Sequence, residues 1–191
     1  MIIGLTGGIG SGKTTVAHLF ETMGCVTYNS DEKAKLVYYQ TNVKEQVIEL
    51  LGKDAYVSDT EINKEHISKK VFSNTELLHQ LNNIIHPAVK TDFTLFQSKL
   101  PLGTIIIKES AILFETGIYK DLDKTILVTA PLEVKIERVK KRNATSEEEI
   151  KKRISSQWPD EQKTPLANFV IINDGTKALI PQVTAIIQQL N

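Results

Sequence analysis

The sequence predicts an open α/β fold in which a five-stranded parallel sheet is flanked by helices and carries an inserted helical lobe and a lid. Three observations lead there. Five short runs are apolar almost throughout and rich in β-branched residues, as strands covered on both faces are. Segments of helical period separate them, giving the βαβ order of a parallel sheet. A glycine-rich turn, Gly7–Thr14, joins the first strand to the first helix.

In chain order the strands are Ile2–Thr6, Cys25–Asn29, Thr104–Glu109, Lys124–Thr129 and Phe169–Asn173. The helix after the first strand begins at Gly12 and stops near Gly24, which reads as the glycine just past a helix end. Residues 30–103 separate the second strand from the third, far more than one crossover helix needs. That interval reads as the helices Asp31–Tyr39, Val43–Leu51, Lys64–Phe72, Glu76–Ile85 and Ala88–Leu100, with Gly52–Glu61 as a polar loop and His86-Pro87 as a helix break. The plan is one domain, 1–191, with a core at 1–30 and 101–191 and a helical substrate-binding insert at 31–100. The helix Leu132–Arg142 leads into residues 143–165, polar and charge-rich, which read as a mobile helical lid. The last helix, about Thr176–Leu190, follows the Asp174-Gly175 turn and sets Ile180, Val183, Ile186 and Ile187 on one face.

A chain of 191 residues, 41% hydrophobic and 24% charged, can bury a sizeable core. Its 23 basic and 23 acidic residues cancel, so the chain-wide basic field that nucleic acid attracts is absent. No apolar run approaches the ~20 residues that cross a bilayer, and the start MIIGLTGG lacks the basic region of a signal peptide. The expectation is a cytoplasmic protein, a monomer or small homo-oligomer, with neither nucleic acid nor membrane as partner. Cys25 is the single cysteine, so no intramolecular disulfide forms, and it reads as a buried strand thiol.

Gly7-Gly8-Ile9-Gly10-Ser11-Gly12-Lys13-Thr14 matches G-x-x-x-x-G-K-[ST] at every position and stands between a strand and a helix, which narrows the class to the P-loop NTPase fold. Glycines let the backbone turn tightly and aim several N–H groups at phosphate oxygens, and the helix start adds its positive end. Gly8, Gly10, Ser11, Gly12, Lys13 and Thr14 are therefore the expected ATP-binding residues, with Lys13 also catalytic at the β- and γ-phosphates and Thr14 a ligand for Mg²⁺. The guanine-reading pattern N-K-x-D and the switch pattern D-x-x-G do not occur; Asn63-Lys64 continues as Glu65-His66. A small-molecule kinase is the reading left, with a non-catalytic nucleotide-binding module as the alternative of another class.

Asp31 follows the second strand, where open α/β sheets bind ligands, and its carboxylate suits either a general base and metal contact or a helix cap. Glu109, at the end of the third strand, is a candidate magnesium ligand or a solvated charge, and Glu115 a weaker candidate. Arg138 and Arg142 are four apart on one helix face, and their guanidinium groups suit a transferring phosphoryl group or water; Arg153 lies across the lid. Lys135, Lys140, Lys141, Lys151 and Lys152 read as a solvated face. His86 faces either a substrate or the protein, and Trp158 either stacks on a base or packs a hinge.

Taken together, these residues resemble the dephospho-CoA kinase family through nearly the whole chain. The resemblance runs through Leu5–Val16, Asp31-x-x-Ala34-Lys35, Ile85-His86-Pro87, Ile112-Leu113-Phe114-Glu115, Arg138-x-x-x-Arg142, Arg153-x-x-x-Gln157 and Val170–Gly175. It implies the strand order 2-3-1-4-5, and ATP, with Mg²⁺, phosphorylating the ribose 3′-hydroxyl of dephospho-CoA. It implies Asp31 as base, and Gly10 through Thr15 as the ATP cradle, with Thr15 added to the motif residues. It further implies Arg138 and Arg142 as catalytic contacts from the lid side, Arg142 and Asn173 on the ATP, and Asp31, Lys35, His86, Ile112 and Leu113 on the acceptor. Asn29 stands where the family has an aspartate, Lys35 where it has an arginine and Ala111 where it has a proline. Another small-metabolite or nucleoside kinase, acting for instance on shikimate or a sugar acid, is the nearest alternative.

Overall fold

The structure, a computed structural model, describes residues 1–72, 74–143 and 146–190; Ala144 and Thr145 of the expected lid lie outside the described residues. The elements begin β1 (Ile2–Thr6), α1 (Lys13–Thr22), β2 (Val26–Asn29), α2 (Ser30–Val37) and α3 (Thr41–Leu51). Next come β3 (Tyr56–Ser58), β4 (Glu61–Ile62), α4 (Lys64–Phe72), α5 (Thr75–Ser98) and β5 (Ile106–Glu109). The chain ends with β6 (Lys124–Thr129), α6 (Leu132–Asn143), α7 (Glu147–Ser155), α8 (Asp160–Lys163), β7 (Phe169–Ile172) and α9 (Leu179–Leu190). It divides into two compact units, Met1–Asn29 with Pro101–Asn191, and Ser30–Leu100. Among the described residues no helix is long and apolar enough to cross a membrane.

The first unit is built on a five-stranded sheet of order β2-β5-β1-β6-β7, parallel at every pairing, which is the order the resemblance implies. Its strands are apolar because helices cover them: Ile3, Leu5, Ile107, Ile126, Val128 and Ile171 pack with Val16 and Phe20 of α1 and Val183 and Ile186 of α9. Phe20 is fully buried, so truncating it to Ala should cost about 3–5 kcal/mol. Parallel pairing brings every carboxyl end to one edge of the sheet, and the register sets Leu5 and Asn29 beside Glu109.

In this unit two boundaries move inward by two residues or more from the sequence expectation. Strand β5 starts at Ile106, because Thr104 is tied into a turn by its N–H and hydroxyl, both donating to Pro101 O. Helix α9 starts at Leu179, because the Asp174 carboxylate accepts from Thr176 N, Thr176 Oγ1 and Lys177 N and holds those residues in a turn. Those donors also hold the Asp174 carboxyl down to about 2. Cys25 is buried, and burial raises its thiol pKa.

The second unit, Ser30–Leu100, is helical around Val37, Val43, Val47, Leu51, Ile67, Leu81 and Ile85. The expected polar loop contains a short hairpin, β3 with β4, entered through a single helical turn at Lys53–Ala55. The expected break at His86-Pro87 does not occur: α5 runs through it from Thr75 to Ser98. Proline inside a helix costs about 3 kcal/mol through a lost N–H and a clash one turn back. The apolar stripe offsets it, since Leu77, Leu81, Ile84, Ile85, Ala88 and Val89 continue across Pro87 on the buried side. Asn74 caps this helix by accepting from Glu76 N and Leu77 N.

Candidate active site

The loop between β1 and α1 occupies the carboxyl edge of the sheet. Gly10 and Gly12 have φ of 78° and 94°, left-handed values that favour glycine. Neither has room for a side chain: a Cβ on Gly10 would fall 2.5 Å from Lys135 O, and one on Gly12 would strike the Asn173 amide nitrogen. Lys13 Nζ donates to Gly7 O at 2.8 Å, folding the lysine across the loop, and Ser11 N donates to Gly8 O. The N–H groups at the start of α1 and the Lys13 ammonium make this a site for polyphosphate.

Helix α6 and the end of β7 support that loop. Arg138 Nη1 donates to Asn173 O at 3.0 Å and reaches Ser11 O and Gly10 O at 3.4 and 3.5 Å. Its Nη2 donates to Asn173 Oδ1 at 3.0 Å, and Asn173 Nδ2 donates to Ser11 O at 2.8 Å. Arg138 and Asn173, expected to meet ATP, thus hold the loop's own carbonyls. Arg142, one turn further on, is exposed, as is Arg153. Lys135, expected on a solvated face, is instead buried and paired with Asp160 Oδ2 at 2.6 Å. The partner lies far along the chain, so periodicity within α6 carries no sign of it.

Glu109 is buried at the end of β5. It accepts from Thr14 Oγ1 at 3.3 Å and from Asn29 Nδ2 at 3.4 Å. Asn29 therefore donates to Glu109 where an aspartate would set a second negative charge against it. A hydroxyl beside a carboxylate is a hard oxygen set that fits Mg²⁺. Among the described residues no group of three His, Cys, Asp or Glu could hold a metal, so phosphate oxygens and water would complete the shell, as is usual for Mg²⁺.

The lid side was poorly legible. Gln157 Oε1 accepts from Ile9 N at 2.9 Å, and Glu115 Oε1 accepts from Trp158 N at 3.0 Å. A cavity of about 460 Å³ opens here, lined by Gly8, Leu132, Lys135, Gln157 and Trp158 among others. Ile112 is exposed, whereas Leu113 is fully buried with its methyl groups against Gly4, so Leu113 supports its loop from the core.

Asp31, Lys35 and His86 belong to the second unit. Asp31 stands inside the first turn of α2, which starts at Ser30, and Lys35 follows four residues later on the same face. That position favours a negative charge through the helix dipole and is not the cap position itself. His86 is half-buried in α5, and burial lowers its pKa below the ordinary 6.5.

Residues 1–178 match the family model CoaE, dephospho-CoA kinase. A dephospho-CoA kinase of Bacteroides fragilis (strain YCH46) is 43% identical over 186 residues, 97% of this chain and 90% of that protein. The solved structure of TT1252 from Thermus thermophilus is similar with a TM-score of 0.89 at 32% identity, covering 100% of this chain and 98% of that one. Dephospho-CoA kinase from Campylobacter jejuni, at 23% identity with a TM-score of 0.70 over 99% of this chain and 96% of that one, shares the fold.

Proposed function

The chain belongs to the dephospho-CoA kinase family, and on that premise we propose that it transfers the terminal phosphoryl group of ATP to the ribose 3′-hydroxyl of dephospho-CoA, giving ADP and CoA. The observation that carries the reading is the complete phosphate loop within a family match that spans residues 1–178.

Phosphoryl transfer asks a protein mainly to position groups and to stabilise charge. Backbone N–H groups of Gly10 to Thr15 cradle the ATP phosphates, and Lys13 leaves Gly7 O to meet the β- and γ-phosphates. Thr14, with Glu109 beside it, would hold Mg²⁺, which supplies charge neutralisation on those phosphates when bound. Asp31 accepts the proton of the attacking hydroxyl. Its place just beyond the carboxyl end of β2 supports that role, and Asn29, neutral, leaves Asp31 as the carboxylate of that segment nearest the strand end. Lys35, His86 and Ile112 serve the acceptor, held by the helical unit, while Arg142 serves the nucleotide. The reading sets the enzyme in the cytoplasm as a monomer or small homo-oligomer without nucleic acid or membrane as partner. ADP release in a coupled assay tests it: turnover is expected with dephospho-CoA and not with shikimate or free nucleosides. Faster turnover with either of those acceptors would sink the assignment.

A further inference from the structure

A buried ion pair stands apart from the phosphate loop. The side chain of Lys163, the last residue of α8, is fully buried, and its Nζ lies 2.7 Å from Glu115 Oε1. The contact is close but not aligned as a hydrogen bond, and the second carboxylate oxygen, Glu115 Oε2, is buried with no hydrogen-bond partner among the described residues. Such a pair is a weak source of stability, because removing two charges from water offsets much of their attraction, and apolar residues of similar size often do as well.

What the pair fixes is a segment of chain. Glu115 Oε1 accepts the Trp158 amide and meets Lys163, so one carboxylate holds both ends of residues 158–163. Flanking and within that span are the two side chains that reach the front of the phosphate loop. Gln157 Oε1 takes the Ile9 amide at 2.9 Å. Asp160 holds Lys135 at 2.6 Å, with Lys135 Nζ 3.4 Å from where a Cβ on Gly8 would stand.

We propose that Glu115 and Lys163 are positioning residues for ATP: they anchor residues 158–163 so that Gln157 and the Lys135–Asp160 pair keep Gly8 and Ile9 in the shape that receives the nucleotide. They touch no reacting atom and act through Gln157 and Lys135. The inference rests on the reading that Gly7–Thr14 binds ATP.

Three variants test it: Lys163→Met, the apolar double Glu115→Leu/Lys163→Met, and Gln157→Ala. Melting temperature, ATP affinity by calorimetry without acceptor, and KM for each substrate are measured on the full chain. Lys163→Met strands a buried carboxylate and should lower both melting temperature and ATP affinity. The double variant should regain the parent melting temperature yet bind ATP about 5–10-fold more weakly, the worth of one or so hydrogen bonds, with KM for dephospho-CoA unmoved. Gln157→Ala should show the same ATP-side loss at parent stability. Recovery of both stability and ATP affinity in the double variant would make the pair mere packing and overturn the proposal. If the double variant does not fold, Gln157→Ala decides, since parent-like ATP affinity there removes the contact through which the pair acts. Binding is read without acceptor, so a parent that binds ATP but does not phosphorylate dephospho-CoA counts against the acceptor assignment alone.

Discussion

Arg138 and Asn173 fasten the phosphate loop to the turn after β7, and a double-mutant cycle measures that fastening. The perturbations are Arg138→Lys, Asn173→Ala and both together. The guanidinium makes two bonds of 3.0 Å to Asn173, one to its backbone oxygen and one to Oδ1, while Asn173 Nδ2 donates to Ser11 O at 2.8 Å. Hydrogen bonds from a charged donor contribute roughly 1.5–3 kcal/mol each. Lysine keeps the charge but cannot fork, so Arg138→Lys should lose one such bond, about 2 kcal/mol. If the loop carries that loss to its ligand, ATP affinity falls roughly 30-fold.

Asn173→Ala removes the Oδ1 acceptor and the Nδ2 donor to Ser11 O, about 1–3 kcal/mol. The Arg138–Oδ1 bond can be lost only once, so the double variant should fall short of the summed losses by about 1 kcal/mol or more. Calorimetric titration with a non-hydrolysable ATP analogue, beside kcat/KM for ATP, supplies the four corners. Additivity within about 0.5 kcal/mol would refute the coupling. Parent-like binding by Arg138→Lys would show that a point charge suffices, as expected of a direct phosphate contact.

Lys13→Ala should cut kcat by on the order of 10³-fold with the melting temperature kept, and near-parent turnover would remove the phosphate loop from the chemistry. Glu109→Gln keeps the side chain's size and removes its charge, so half-maximal turnover should need roughly 10–100-fold more Mg²⁺; an unchanged Mg²⁺ titration takes Glu109 out of the metal site. Asp31→Asn should lose at least ~100-fold in kcat. Its stability should stay within about 1 kcal/mol, because a first-turn charge is worth little more, and parent-like kcat would leave Asp31 a helix-dipole residue only. His86 titrates below 6.5 in the folded chain because burial disfavours its charged form, so stability is full above that pH and declines as pH falls through 6.5 towards the lower folded value. His86→Gln should flatten that decline in urea midpoints between about pH 7 and 5, and an unaltered slope would mean that His86 does not cause it.

The parts of this molecule that were legible in the sequence are those whose causes are local. A loop that must turn at φ of 78° and 94° requires glycine at Gly10 and Gly12 on backbone grounds alone. Strands covered on both faces need unbroken apolar runs, so all five strands of the main sheet were placed to within two residues at each end. Pro87 misled because the proline rule is local and the remedy is not: the stripe that carries α5 past it is paid back by residues as distant as Val43 and Leu51. Lys163 was overlooked for the same reason, since nothing near it in sequence marks a buried lysine; its partner is Glu115.

The basic stripe of α6 shows how this bears on function. Lys135, Arg138 and Arg142 are spaced three and four apart, so they share one helix face and are indistinguishable by pattern. In the fold that face is graded. Lys135 is buried under Gly8 with Asp160, Arg138 is half-buried on Ser11 O and Asn173, and Arg142 is exposed. A guanidinium already committed to two bonds of 3.0 Å with protein oxygens would have to give them up to bind phosphate, at about 1.5–3 kcal/mol each. Arg142 is exposed and lies furthest along the stripe. Lys135 and Arg138 are thus held against the phosphate loop, and a nucleotide contact by Arg142 is the expectation to test. Arg142→Ala should then weaken ATP binding without disturbing the loop, whereas Arg138→Lys should disturb the loop while leaving the stripe's charge intact.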